Sequence, residues 1–231
     1  MDLLSQEIRD VTRKKLEAEM IDKVTLFLFS QEPRILILPN QIPGLECQLC
    51  RETRQLLEEV KGLSDKLELE VLDFVAQRER AAPYGIDKIP AIAVQGAKVN
   101  GIRFFGIPSG YEYTSLIEAI IDVSRGATEL GPKTKEALAA LEGDVHIQVF
   151  VTPTCPYCTV AIRLGHQMAL ESPRVRCDMI ESTEFPHLVQ RYGVYGVPKT
   201  VFNDAFAVDG VMTEDVFLAN VLEAGRPGAR P

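Results

Sequence analysis

The chain has 231 residues, 46% of them hydrophobic and 25% charged, and a formal net charge of −8. That is ordinary for a globular protein of one large domain or two of about 115 residues, with enough apolar residues for real cores. Residues 1–125 hold 16 basic and 20 acidic side chains and residues 126–231 hold 9 and 13, so each half carries −4; neither half suits a nucleic-acid backbone, and no apolar run is long enough for a membrane span.

The opening residues Met1-Asp2-Leu3-Leu4-Ser5-Gln6-Glu7 are polar and acidic, unlike a secretory signal, so the expected compartment is the cytoplasm. There, paired cysteines are more often catalytic or metal-binding than structural. Leu4, Ile8, Val11, Leu16 and Met20 recur at roughly helical intervals, predicting a helix over residues 4–21. Residues 23–30 read as a buried strand. A proline-bearing stretch at about 31–45 (Pro33, Pro39, Pro43) includes the apolar run Ile35-Leu36-Ile37-Leu38, and an added strand or loop is expected there. Then comes Cys47-Gln48-Leu49-Cys50, leading into a helix that runs to about Gly62. Residues 67–71 alternate as a half-buried strand does. Pro90 opens a strand at 91–95, a return strand follows at 102–106, and a helix at 113–124 closes the unit.

After a linker at 126–132 the plan repeats: a short helix at 133–141, a strand at 145–151, and Cys155-Pro156-Tyr157-Cys158 opening a helix to about residue 170. A strand at 175–179 follows. Pro198 opens another at 199–203, a turn is expected near Asn203-Asp204, and a closing helix spans 213–223. Cys47 and Cys155 lie 108 residues apart, as do Pro90 and Pro198, so a proline follows each lead cysteine by 43 residues. The first strands are displaced by 121 residues instead (24 to 145, for example), which locates about 13 extra residues before Cys47. The chain therefore divides into unit 1 (1–125), with the Cys47/Cys50 pair, and unit 2 (126–231), with the Cys155/Cys158 pair. Each is an α/β unit with a central mixed sheet flanked by helices.

A strand feeding a Cys-x-x-Cys at a helix start places the first sulfur among unpaired backbone N–H groups at the positive end of the helix dipole, which favours a thiolate. The second cysteine lies one turn along, close enough to form a disulfide with the first. Cys155 and Cys47 are thus expected to attack a substrate disulfide, and Cys158 and Cys50 to resolve the mixed disulfide. Other readings are a structural zinc site or a structural disulfide, but short intervals usually join the cysteine pairs of a zinc knuckle. Pro90 and Pro198 follow Ile89 and Val197, and by spacing alone either proline is also compatible with an ordinary strand opening. Cys177 falls in register with Leu69 on an alternating strand, which predicts a buried core thiol. His146, His166 and His187 are scattered, and structural or surface roles are expected for them.

The paired dithiols, Ile89-Pro90, Val197-Pro198 and the segment Gly101-Ile102-Arg103-Phe104-Phe105-Gly106-Ile107-Pro108-Ser109-Gly110-Tyr111-Glu112-Tyr113-Thr114-Ser115-Leu116 resemble the protein disulfide oxidoreductases of archaea and thermophilic bacteria, which carry two fused thioredoxin folds. Cys155-Pro156-Tyr157-Cys158 is also the glutaredoxin-type dithiol. The resemblance covers essentially the whole chain. It implies cis prolines facing the dithiols, with the backbone of Val197 and Ile89 pairing with substrate, and Pro156 and Tyr157 beside it. It implies reduction, oxidation and isomerisation of protein disulfides without a bound cofactor or metal. The partners would be protein disulfides and, as electron donor, a thioredoxin-reductase-type flavoprotein. The insertion before Cys47 and the pair Gln48-Leu49 depart from the family. So does Val149, which stands where thioredoxins keep a buried acid six residues before the lead cysteine, so proton transfer at the second site needs another group or water. The alternative function is an electron relay in a peroxide-reducing system, like the N-terminal two-fold domain of alkyl hydroperoxide reductase flavoproteins. That domain lacks a dithiol in its first fold, and Cys47 and Cys50 stand against it.

Overall fold

The structure is a computed structural model that describes residues 2–31, 47–97 and 101–226. The stretch expected to carry an added strand or loop at about 31–45 lies, apart from Gln31, outside the described residues.

The first half runs α1 (Gln6–Glu19), β1 (Val24–Ser30), α2 (Cys50–Lys61), β2 (Leu67–Asp73), α3 (Arg78–Ala81), a 3-10 turn (Ala82–Tyr84), β3 (Ala91–Gln95), β4 (Ile102–Phe105) and α4 (Glu112–Arg125). The second runs α5 (Pro132–Ala139), β5 (Val145–Val151), α6 (Cys158–Glu171), β6 (Val175–Glu181), α7 (Pro186–Arg191), β7 (Lys199–Phe202), β8 (Phe206–Asp209) and α8 (Glu214–Ala224). Local chemistry sets several boundaries. Ser5 caps α1 by accepting from the Ile8 N–H at 3.3 Å. Asn203 and Asp204, both with positive φ, make the tight β7–β8 turn.

Within each half the pairing is the same. β1 lies parallel to β2 and antiparallel to β3, which pairs antiparallel with β4. β5 has the same relations to β6 and β7, and β7 to β8. The duplication extends to side chains. Tyr84 packs on Phe29 and Tyr192 on Phe150, each with ring centroids 5.5 Å apart. Gly106 and Gly210, both at positive φ, donate their N–H to the carbonyls of Pro90 and Pro198 at 2.9 and 2.8 Å.

The halves do not keep separate sheets. β4 pairs parallel with β6, giving one eight-stranded sheet in the order β2-β1-β3-β4-β6-β5-β7-β8. The junction removes two strand edges that would otherwise expose unpaired backbone. Arg103 and Asp178 face each other in its register. The buried Arg103 guanidinium donates to Asp178 Oδ1 at 2.6 Å and to the carbonyls of Tyr84 and Gly85 at 2.9 and 2.8 Å. His146 Nε2 lies 2.7 Å from Asp178 Oδ2. Burial by itself would raise the Asp178 carboxyl, but Arg103 and His146 outweigh it and hold the group at about 2.

Two apolar layers cover the sheet. One contains α1, α2, α4, α6 and α8 side chains; the other gathers Phe29, Phe105, Phe150, Ile180 and Phe185. In α1 the buried stripe differs from the sequence expectation. Leu16 and Thr12 are inward while Ile8 and Val11 are exposed. Thr12 is held inward by a 3.0 Å hydrogen bond between its hydroxyl and that of Tyr113. Among the described residues no helix is long and apolar enough to cross a membrane.

Candidate active site

β5 is buried along nearly its whole length and delivers the chain into a short loop ahead of α6. The Cys155 N–H donates to the Thr152 carbonyl at 3.1 Å, and the Cys158 N–H to the Cys155 carbonyl at 3.4 Å. These turns set Cys155 just before the helix and Cys158 at its first residue. The two form a disulfide with Cα atoms 5.5 Å apart. Cys155 retains 9% exposure and Cys158 none, so Cys155 is the more exposed residue of the pair. The first turn of α6 contains no acidic residue to oppose the positive end of its dipole from within the helix.

Val197-Pro198 forms the opposite wall. Its peptide bond is cis, as is that of Ile89-Pro90. Cys155 Sγ lies 3.7 Å from the Val197 carbonyl oxygen. The structure thus brings Cys155, Cys158, Val197 and Pro198 together across 42 residues of sequence, with Pro156 and Tyr157 exposed on the rim.

The first pair is built alike. Cys47 and Cys50 form a disulfide with Cα atoms 5.4 Å apart. Cys50 is buried and Cys47 half-buried, in the apolar cluster that also holds Ile89. The Gln31 N–H, at the end of β1, points to Cys50 Sγ at 3.3 Å. Pro90 is buried as well. Unlike α6, α2 carries an acid in its first turn, Glu52. A backbone hydrogen bond and then Arg51 keep that carboxyl below its ordinary value, so a negative charge already occupies the dipole's positive end.

One group near the second dithiol escaped the sequence analysis. Glu112, the first residue of α4, is fully buried, with Oε2 accepting from the Ser115 hydroxyl at 3.1 Å and Oε1 without a partner. Burial, and secondarily the charge of Glu181, raises its pKa from 4.5 to about 7. Its place relative to the dithiol follows from two contacts. Arg163 binds Glu118 at 2.6 Å and Gln167 binds Asp122 at 3.1 Å, both pairs 45 residues apart. A constant offset means that α4 and α6 run side by side in the same direction, and it sets Glu112 level with residue 157, at the first turn of α6. The preceding Tyr111 N–H donates to the Pro153 carbonyl at 3.0 Å. Gly110, at φ 61°, permits that approach, since a Cβ there would collide with the same carbonyl. The signal of Glu112 in sequence is faint: it reads as an acid favoured by a helix dipole.

The remaining candidates are accounted for elsewhere. Cys177 is fully buried, its thiol pushed well up by burial. Gly165 lets α6 rest on it, for a Cβ there would strike Cys177 Sγ. His166 is buried against Phe104 at 4.7 Å and held down to about 4 by burial. His187 packs on Phe185 at 6.2 Å, and His146 belongs to the inter-half ion cluster. Among the described residues no three of His, Cys, Asp and Glu form a group that could hold a metal.

Comparison with known proteins agrees with this geometry. Residues 145–223 match the family model described as a thioredoxin domain. The chain is 28% identical over 171 residues to an alkyl hydroperoxide reductase component from Xanthomonas campestris pv. phaseoli, covering 74% of this chain but only 31% of that protein. The chain spans about a third of the length of the curated relatives it matches. The N-terminal double domain of alkylhydroperoxide reductase from Enterococcus faecalis superposes with a TM-score of 0.83 at 24% identity, covering 94% of this chain and 99% of that one. A protein disulfide oxidoreductase from Aeropyrum pernix K1 superposes with a TM-score of 0.85 at 30% identity over 97% of this chain and 94% of its own. With two tandem thioredoxin-fold units, a Cys-x-x-Cys at the head of a helix in each, and this likeness along nearly the entire length of both molecules, the chain belongs to the protein disulfide oxidoreductase family.

Proposed function

We propose that the protein is a dithiol–disulfide oxidoreductase acting on protein disulfides, with Cys155 and Cys47 as the attacking sulfurs and Cys158 and Cys50 as the resolving ones. The observation that carries this reading is the placement of Cys155. It is the more exposed cysteine of its pair, before a helix start that has no acid in its first turn and with its sulfur 3.7 Å from the Val197 carbonyl oxygen.

In the reducing direction, the Cys155 thiolate attacks one sulfur of a substrate disulfide, and the other leaves as a thiolate that takes a proton. A mixed disulfide joins Cys155 to substrate. Cys158 then loses its proton, attacks Cys155 Sγ and expels the second substrate sulfur, also as a thiolate. Two electrons have passed from the protein dithiol to the substrate, and the Cys155–Cys158 disulfide remains. Glu112 is the group suited to take the Cys158 proton, being buried, lodged beside the first turn of α6 and titrating near neutrality. The backbone at Val197-Pro198, and at Ile89-Pro90 in unit 1, aligns the substrate chain, and Pro156 and Tyr157 contact it.

Closing the cycle requires an external dithiol reductant, and a thioredoxin-reductase-type flavoprotein is the partner class proposed. The relatives named for alkyl hydroperoxide reductase support a redox partner of this general kind. The cytoplasm is the proposed compartment. We place the unit boundary at residues 125 and 126, where α4 ends in the left-handed glycine Gly126. The test is direct. Cys47→Ser/Cys158→Ala, reduced and mixed with a peptide disulfide, should accumulate a one-to-one mixed disulfide mapped by mass spectrometry to Cys155. Adducts absent, or confined to Cys177, would overturn the assignment.

A further inference from the structure

Three segments surround Cys155: 152–162 carries it, 192–198 faces it, and 107–111 reaches it through the hydrogen bond between the Tyr111 N–H and the Pro153 carbonyl. None of the three contains an Asp, Glu, Lys or Arg, in a chain that is 25% charged. Each contributes an exposed tyrosine: Tyr157 at 68%, Tyr195 at 100% and Tyr111 at 49%. Tyr111 comes from the other half of the molecule. Val160 is also exposed, and a Cβ added at Gly196 would meet nothing within 4 Å, so the surface beside Val197 is open. The cations that flank these segments in sequence are paired: Arg163 with Glu118 at 2.6 Å, Lys199 with Asp209 at 3.1 Å and Arg191 with Asp204 at 3.8 Å. The corresponding segments around Cys47 differ. Residues 47–54 hold Arg51, Glu52 and Arg54, and residues 84–90 hold Asp87 and Lys88, which pair at 2.5 Å. The position equivalent to Tyr195 is Asp87, and that equivalent to Tyr157 is Leu49.

Resting on the function proposed above, we propose that the three tyrosines form a cross-unit rim that selects, for the second site, extended polypeptide segments whose half-cystine is flanked by apolar or aromatic residues. The chemistry is that of unequal desolvation. Tyrosine offers a large rigid apolar face at little entropic cost, with a hydroxyl that stays wet. An apolar flank laid on it loses contact with water on both sides. A lysine or glutamate flank there loses hydration with no charge to meet it. Segments of that kind are buried in folded proteins, so the site would favour misfolded or unfolded chains.

The test uses the full chain carrying Cys47→Ser, so that only the second dithiol turns over. Three disulfide-linked peptides of equal length, flanked by Leu and Phe, by Lys, or by Glu, are compared. Each rate is divided by that for 2-hydroxyethyl disulfide with the same variant, which cancels changes in the dithiol chemistry itself. The Leu/Phe peptide should exceed the charged ones in kcat/KM by about tenfold, as expected from partial burial of one large side chain. Adding Tyr111→Ala and Tyr195→Ala should reduce the ratio to about threefold or less, and Tyr111→Phe with Tyr195→Phe should retain it, because the ring and not the hydroxyl carries the preference. Equal rates for the three peptides, or an undiminished ratio in the alanine variant, would overturn the proposal. No turnover even of 2-hydroxyethyl disulfide would instead refute the function assigned to Cys155 and Cys158, and this inference with it.

Discussion

Replacing Glu112 by glutamine tests the buried acid in two independent ways. In the folded protein the carboxyl titrates near 7, against an ordinary 4.5, chiefly because burial disfavours its charged form. The folded state therefore holds this proton more tightly than the unfolded chain does. The associated stability is complete below 4.5 and is lost as pH rises through about 7. With roughly 1.4 kcal/mol per unit, a shift of this size corresponds to on the order of 3 kcal/mol. Glutamine resembles the protonated side chain and cannot ionise. Urea unfolding of the oxidised protein at steps from pH 4.5 to 8.5 should show wild type losing about 3 kcal/mol more than Glu112→Gln over that range. Glu184, also raised to about 7 by burial, should leave a residual slope in both. The same variant should resolve mixed disulfides at Cys155 more slowly near neutral pH. Superimposable stability profiles would mean that Glu112 is not a desolvated acid. A shifted stability profile with unchanged resolution would remove it from the proton path alone.

Three further outcomes are expected. Cys177 should resist iodoacetamide in the native protein and react fully in denaturant, read by mass spectrometry, since its thiol is buried and held protonated; rapid native labelling would contradict the packing of Gly165 upon it. Arg103→Ala should destabilise the protein by about 3–5 kcal/mol in urea unfolding, because it strips the main partner from a buried carboxylate; a loss under about 1 kcal/mol would show that Asp178 is satisfied without it. Cys155→Ser should lose most disulfide-reductase activity and Cys47→Ser should keep the larger share, in initial rates with one substrate and one reductant. The first turn of α6 carries no acid of its own and Glu112 lies level with its start, whereas Glu52 occupies the first turn of α2. The reverse order would transfer the main role to the first dithiol.

Much of the architecture was legible because its signals are local. Alternation at 67–71, the apolar run at 145–151 and the proline 43 residues after each cysteine each act within one element or one repeat. The 121-residue displacement of the first strands is borne out by the matched packing of Tyr84 on Phe29 and Tyr192 on Phe150. What stayed hidden is non-local. Nothing in Ile102–Phe105 says that this strand's free edge pairs with Val175–Glu181, since any strand edge offers the same backbone groups. Arg103 amid apolar neighbours hinted at a buried partner without identifying Asp178. Glu112 needed two helices in known register before its position meant anything. The stripe on α1 was misjudged because a threonine bonded to Tyr113 is buried as fully as a leucine, which hydropathy does not register.

The central claim is that both Cys-x-x-Cys pairs are the working groups of a disulfide oxidoreductase. Its most direct test is the initial rate of reduction of a protein disulfide such as insulin by dithiothreitol, catalysed by wild type and by Cys47→Ser/Cys155→Ser at equal concentration. Wild type should accelerate the reaction well above the uncatalysed rate, and the double variant should fall to that background. Acceleration retained by the double variant, in protein shown to be folded, would contradict the account.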